Sequence, residues 1–223
     1  MKTIRLYFYL CLICCFNSTY AQEEVMGNGL IFPQFEKGTV SFKNGTISTA
    51  MLNYDMIMQE MLFIDADINV MAISEPSEVL VVIINGRRFL PASKSGFYEE
   101  IQAGTGHFFI QRKAYLLSEG KRSGYGGYSQ TSSINTIDVL QNTGSGRTIR
   151  LNLDEKFKLK TEYFYYLQSG KNYKVFSSAK SLGKLFKGQG SKIEAFAKEQ
   201  SINFSNIDDI SRIVEYGYSL MSK

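Results

Sequence analysis

The sequence predicts an α+β protein: an antiparallel β-meander, forming an open sheet or a partial barrel, with a C-terminal cap of two to three short helices. Three observations predict it. Apolar residues alternate with polar ones at period two from Ile31 to about Leu117. Asn44-Gly45 and Asn85-Gly86 each stand between two such runs, where two residues that tolerate positive φ turn one strand into the next. After about residue 178 the period changes to that of a helix.

Along the β-rich part, Val40 and Phe42 alternate with Thr39, Ser41 and Lys43, and Thr46 to Leu52 returns. Met61 to Ile64 and Val70 to Ile73 are short strands around the polar stretch Asp65 to Asn69. Val79 to Ile84 is a β-branched run, and Arg87 to Leu90 follows its Asn-Gly turn. Phe97 to Ile101 and His107 to Leu117 flank the turn Gly104-Thr105-Gly106. The segment 119–146 is rich in Gly, Ser, Thr, Asn and Gln and reads as a long loop. Strands resume with Ile149, Leu151 and Leu153, then Phe157 and Leu159. In the next run Tyr163, Tyr165 and Leu167 lie opposite Phe164 and Tyr166. Ser169 to Asn172 turns the chain into Tyr173 to Phe176.

The helical segment spans 178–222. Leu182, Leu185 and Phe186 form a short helix that Gly188 ends. Ser191 and Glu194 have the spacing of a capping box, opening a helix with Ile193, Phe196 and Ala197 on its apolar face. Asn206 is the expected N-cap of a third helix, in which Ile210, Ile213, Val214, Gly217, Leu220 and Met221 share a face. Asp208 and Asp209 complement the dipole in its first turn.

The N-terminus reads as a secretory signal, residues 1–21. Lys2 and Arg5 precede an apolar run from Leu6 to Phe16, and Thr19 and Ala21 occupy the −3 and −1 positions of a cut before Gln22. At 11 residues the run is short of a membrane span, which needs about 20. Cleavage leaves 202 of the 223 residues as a single β-rich domain, 22–223. All three cysteines (Cys11, Cys14, Cys15) leave with the signal, which excludes disulfides, thiolate nucleophiles and cysteine-bound zinc from the mature chain. The formal charge of +4 falls to +2 once Lys2 and Arg5 are removed, giving no electrostatic case for nucleic acid or anionic lipid. No second stretch is long and apolar enough to span a membrane.

Motifs for chemistry are sparse. His107 is the single histidine, so a histidine-rich metal site is excluded, and without a G-x-S-x-G elbow a serine triad has little support. The G-x-G pairs lack the third glycine of a dinucleotide fingerprint. Asp65 and Asp67 have the spacing that begins a calcium loop, but the glycine and glutamate that should follow are absent. Paired carboxylates remain possible: Glu99 with Glu100, Asp55 with Glu60, or Asp154 with Glu155. The basic pairs Arg87-Arg88 and Arg112-Lys113 read as solvated edge charges. Tyr125 and Tyr128, with Lys121 and Arg122 beside them, give the 119–146 segment the composition of an adaptable contact surface.

Phe35-Glu36-Lys37-Gly38-Thr39-Val40, Met51-Leu52-Asn53-Tyr54-Asp55, Glu60-Met61-Leu62-Phe63-Ile64, Gly124-Tyr125-Gly126-Gly127 and Leu182-Gly183-Lys184-Leu185-Phe186 together carry a resemblance. The chain resembles a set of exported hypothetical proteins of Gram-negative bacteria. That resemblance implies an envelope location and a β-body with C-terminal helices, and it carries over no catalytic residues. The expectation is a non-enzymatic exported protein, periplasmic or associated with the outer membrane or cell surface. It needs no cofactor and binds an envelope protein or a glycan. Its contact residues are Tyr125, Tyr128, Lys121 and Arg122. The alternatives are an accessory subunit of an outer-membrane assembly and, last, a carboxylate-based hydrolase.

Overall fold

The computed structural model describes residues 29–93, 95–122, 128–129, 140–143, 146–149, 155–170 and 172–221. The expected leader and Tyr125 lie outside them. The strands are β1 (Glu36–Phe42), β2 (Ile47–Asp55), β3 (Glu60–Ile64), β4 (Val70–Ala72), β5 (Val79–Ile84), β6 (Arg87–Pro91), β7 (Phe97–Ala103), β8 (Gly106–Arg122), β9 (Tyr128–Ser129), β10 (Leu140–Thr143), β11 (Gly146–Ile149), β12 (Glu155–Ser169) and β13 (Asn172–Phe176). The helices are α1 (Ala179–Gly183), α2 (Gly190–Glu199) and α3 (Ile207–Met221). One antiparallel sheet runs β13-β12-β8-β7-β6-β5-β1-β2-β3-β4, with β9 attached to the far end of β8, and the helices cap the C-terminal half. This is the α+β architecture the sequence predicts. Among the described residues no helix is long and apolar enough to cross a membrane.

The meander is interrupted once. β5 pairs with β1 rather than with β4. The sheet curls: five strand spacings, about 24 Å if it were flat, separate β8 from β2 along the strand order, yet the two regions touch. The β2–β3 turn completes the curl by meeting β8: the Ala114 amide donates to the Met56 carbonyl at 2.9 Å. The core enclosed here comprises Ile31, Phe32, Val40, Leu52, Tyr54, Met56, Met61, Val82, Phe89, Phe97 and Ala114, among others, and includes no helical residue.

Polar side chains seal the place where β7 parts from β8. Gln59, at φ +59°, donates to the carbonyls of Met56 (2.8 Å) and Arg112 (2.7 Å). Gln111 Nε2 donates to Gln59 Oε1 at 3.1 Å and to the Ser95 carbonyl at 2.9 Å. Asn53 is fully buried. It bonds the backbone of Phe32 in both directions and accepts from the Tyr54 amide, which lashes the segment before β1 along β2.

The second core lies between the helices and the other half of the sheet. Phe108, Ile110, Tyr165, Leu167 and Phe176 meet Leu182, Phe186, Ile193, Ile210, Ile213 and Val214. Asn206 caps α3 as its sequence predicts: Oδ1 accepts from the amides of Asp208 (2.8 Å) and Asp209 (3.2 Å). Ile210, Ile213, Val214 and Gly217 are buried as expected, whereas Met221, at the last turn, is exposed. Gly217 is required by close packing, since a Cβ there would lie 2.5 Å from the Phe186 ring.

Two local expectations are corrected. The capping box belongs to α1, where Ser178 Oγ accepts from the Ser181 amide and Ser181 Oγ accepts from the Ser178 amide. Helix α2 begins at Gly190 with no side-chain cap, so Ser191 falls inside the helix and not at the cap position that its spacing to Glu194 suggests. The 119–146 segment also holds more structure than a loop. Glu119 to Arg122 complete β8, Tyr128–Ser129 pair with Arg122 and Lys121, and β10 pairs with β11. Pairing with a neighbouring strand imposes extended backbone on residues whose composition favours turns.

Candidate functional site

The sheet has two faces in its C-terminal half, and alternation assigns each side chain to one of them. Phe108, Ile110, Tyr165, Leu167 and Phe176 face the helices. Tyr98, Glu100, Phe109, Gln111, Tyr166, Tyr173 and Val175 face the other way. Four of these form an aromatic platform. Tyr98 lies 4.9 Å from Tyr166 and 4.6 Å from Tyr173 between ring centroids, and Phe109 meets Tyr173 edge-on at 4.8 Å. Tyr98 and Phe109 are buried and act as the base, while Tyr166 and Tyr173 are half-exposed above them. Burial raises the hydroxyl pKa values of Tyr98, Tyr166 and Tyr173, so all three are neutral donors at physiological pH. The Tyr166 hydroxyl donates to Gln111 Oε1 at 3.3 Å.

Charged groups border the platform. Glu100 accepts from Arg88 Nε at 2.7 Å, and its other oxygen lies 3.4 Å from His107 Nδ1. His107 is thus a partly exposed strand residue, with its backbone carbonyl accepting from the Tyr218 hydroxyl at 2.9 Å.

The opposite face carries a buried ionic seam between the two cores. Glu99 accepts from Arg87 through both oxygens (2.6 and 3.0 Å) and from Arg112 Nε at 2.7 Å. Burial alone would push the Glu99 carboxyl up, but the charges and hydrogen bonds of Arg112 and Arg87 outweigh it and hold the carboxyl below the ordinary glutamate value. Arg87 also stands over the Phe32 ring at 4.9 Å and Arg112 over Tyr163 at 5.1 Å. Arg87 and Arg112 are therefore not the solvated edge charges their sequence suggests. Alternation turns them inward while their neighbours Arg88 and Lys113 face out.

The paired-acid candidates occupy different settings. Glu99 and Glu100 are strand neighbours and point to opposite faces. Asp55 and Glu60 are opposite each other in the β2–β3 hairpin, with Asp55 Oδ1 accepting from the amides of Ile57 and Met58 (2.8 Å each). Asp154 lies outside the described residues. Asp65 is a turn cap: it accepts from the amides of Asp67 and Asn69 and has a lowered pKa, from the Asn69 amide first. Among the described residues no three of His, Cys, Asp and Glu gather in a group that could hold a metal.

Of the four contact residues expected from sequence, Lys121 and Arg122 end β8, and Tyr128 pairs with Arg122. They stand on a ribbon: among the described residues, β8 beyond Leu117 pairs only with β12 and β9. Alternation in the sequence puts Tyr166 on one face of a strand, but Tyr98, Phe109 and Tyr173 come from three other strands, and only the register of the sheet brings them around it. Comparison of the chain with protein-family models, with curated proteins and with solved structures found no match in any of the three.

Proposed function

We propose that this chain is a non-enzymatic exported protein of the bacterial envelope that binds an envelope protein or glycan through the outer face of β7, β8, β12 and β13. The observation that carries the reading is the pair of half-exposed tyrosines, Tyr166 and Tyr173, buttressed by buried Tyr98 and Phe109. Rings already fixed by packing lose little conformational freedom when a partner covers them. The ribbon that bears Lys121, Arg122 and Tyr128 continues from this face and extends the contact surface. The leader pattern before Gln22 supports export.

The test is capture from an envelope extract by the mature protein and by a Tyr166→Ala/Tyr173→Ala variant with unchanged circular dichroism. The expected result is a partner retained by the native chain and lost by about tenfold or more in the variant. Equal retention by both would remove the platform from the reading. N-terminal sequencing of the exported protein should begin at Gln22; a retained Met1 would count against export by cleavage.

The accessory-subunit alternative draws on a different place. Met51, Ile64 and Val70 share one row across β2, β3 and β4, with Met51 and Val70 exposed, and exposed Ile68 adjoins them at the sheet edge. A Val70→Lys variant that loses association with an outer-membrane complex, while keeping the platform's partner, would favour it.

A further inference from the structure

The outer face does not stop at the platform. Along the β8–β12 ribbon its cross-strand pairs are Phe109–Tyr166, Gln111–Phe164, Lys113–Glu162, Tyr115–Lys160 and Leu117–Lys158. Rings and ammonium groups therefore succeed one another on a line of about 27 Å, at about 3.4 Å per residue. Lys113 Nζ stands 5.4 Å from the Phe164 ring centroid, Lys160 Nζ is 2.8 Å from Glu162 Oε1, and Lys158 is exposed. In these five pairs three lysines face one glutamate, so the row is positive although the mature chain is close to neutral. The helices lie on the other side of the sheet.

We propose that the occupant of this face is an extended acidic polysaccharide, a chain bearing uronate carboxylates. Its apolar sugar faces would lie on Tyr173, Tyr166, Phe164 and Tyr115, and its carboxylates against Lys113, Lys158 and Lys160. The proposal rests on the platform being the contact surface and names the class of partner for it. Charge complementarity favours an acidic over a neutral chain. The leader pattern favours an envelope glycan over nucleic acid, which presents the same charge and stackable rings. Lysine contacts that neutralise a polyanion weaken as salt rises.

The test titrates the mature protein with oligogalacturonate, a neutral gluco-oligosaccharide and a single-stranded oligothymidylate. A Lys158→Gln/Lys160→Gln variant, altered only at exposed side chains, is titrated beside it. Oligogalacturonate is expected to bind about tenfold or more tighter than the neutral chain, to lose about tenfold in the lysine variant, and to weaken with salt. Loss in the Tyr166→Ala/Tyr173→Ala variant should match. Binding of oligothymidylate as tight as oligogalacturonate would overturn the glycan assignment, as would oligogalacturonate binding that the lysine variant leaves unchanged. If the neutral chain binds and is lost only with the tyrosines, the platform stands and the acidic partner falls. If no glycan binds and extract capture survives loss of the tyrosines, both fall.

Discussion

In the N-terminal half, the sheet buries one face by curling on itself; in the C-terminal half, three helices cover the same face. The first solution needs polar seals where strands part, and the chain supplies them as Gln59, Gln111 and Asn53. The second needs close approach of α3 to its neighbours, and the chain supplies small residues: Gly217 in α3 under Phe186 of the α1–α2 connection, and Gly106 in β8, where a Cβ would lie 2.3 Å from the Tyr218 ring. A curled sheet is thus limited by unsatisfied backbone, and a capped sheet by side-chain volume. Between them the Arg87–Glu99–Arg112 seam joins the two cores with charge.

The largest expected effect is at that seam. Glu99→Ala leaves buried Arg112 and half-buried Arg87 without the carboxylate they share, a change that costs about 3 kcal/mol. Urea unfolding at pH 7 should show it, and a loss below about 1 kcal/mol would mean that the seam contributes little. Acid titration sharpens the point. Because the folded protein holds the Glu99 carboxyl below its ordinary value, its contribution is fully present above about pH 4.3 and is lost as pH falls through the lower folded value. A Glu99→Gln variant should lack that step.

The two cores can then be set against each other directly. Leu52→Ala and Ile213→Ala each remove a fully buried aliphatic side chain and should each cost about 2–5 kcal/mol. Hydrogen exchange should separate them, with Leu52→Ala loosening β1–β3 and Ile213→Ala loosening α2 and α3. Equal loosening of both regions by either variant would make the halves one cooperative unit.

The smallest expected effect lies under the helices. The Tyr165 hydroxyl is buried without a hydrogen-bond partner among the described residues, and burial pushes its pKa up to about 12. Tyr165→Phe removes an unsatisfied group and should stabilise by up to about 1 kcal/mol. A measured loss of similar size would show that the hydroxyl is satisfied after all.

Local features of this chain were legible in its sequence and long-range ones were not. Asn85 and Gly86 both take positive φ (+50° and +79°), as an Asn-Gly hairpin turn requires. Asn206 and the spacing of Ile210, Ile213 and Val214 announced α3. Ser191 and Glu194 match a capping pattern by spacing alone, but α2 begins at Gly190 and takes Ser191 into the helix. Nothing in the local pattern showed that β5 would return to β1, or that Glu99 would find Arg87 and Arg112 on neighbouring strands. The platform was half legible: alternation divides Tyr163 and Tyr165 from Phe164 and Tyr166, but register between strands decides which rings meet.

The ribbon of β8 and β12 has a mechanical consequence. Both strands run through both cores, β8 with Ala114 in the first and Phe108 and Ile110 in the second, and β12 with Leu159 against the first and Tyr165 in the second. A pull on the ribbon's tip would draw the two strands in the same direction and leave the bonds between them unloaded. The load would fall in shear on the β7–β8 and β12–β13 ladders, five register pairs each. A force on the ribbon is therefore passed to both cores at once and does not simply peel one strand from the sheet edge.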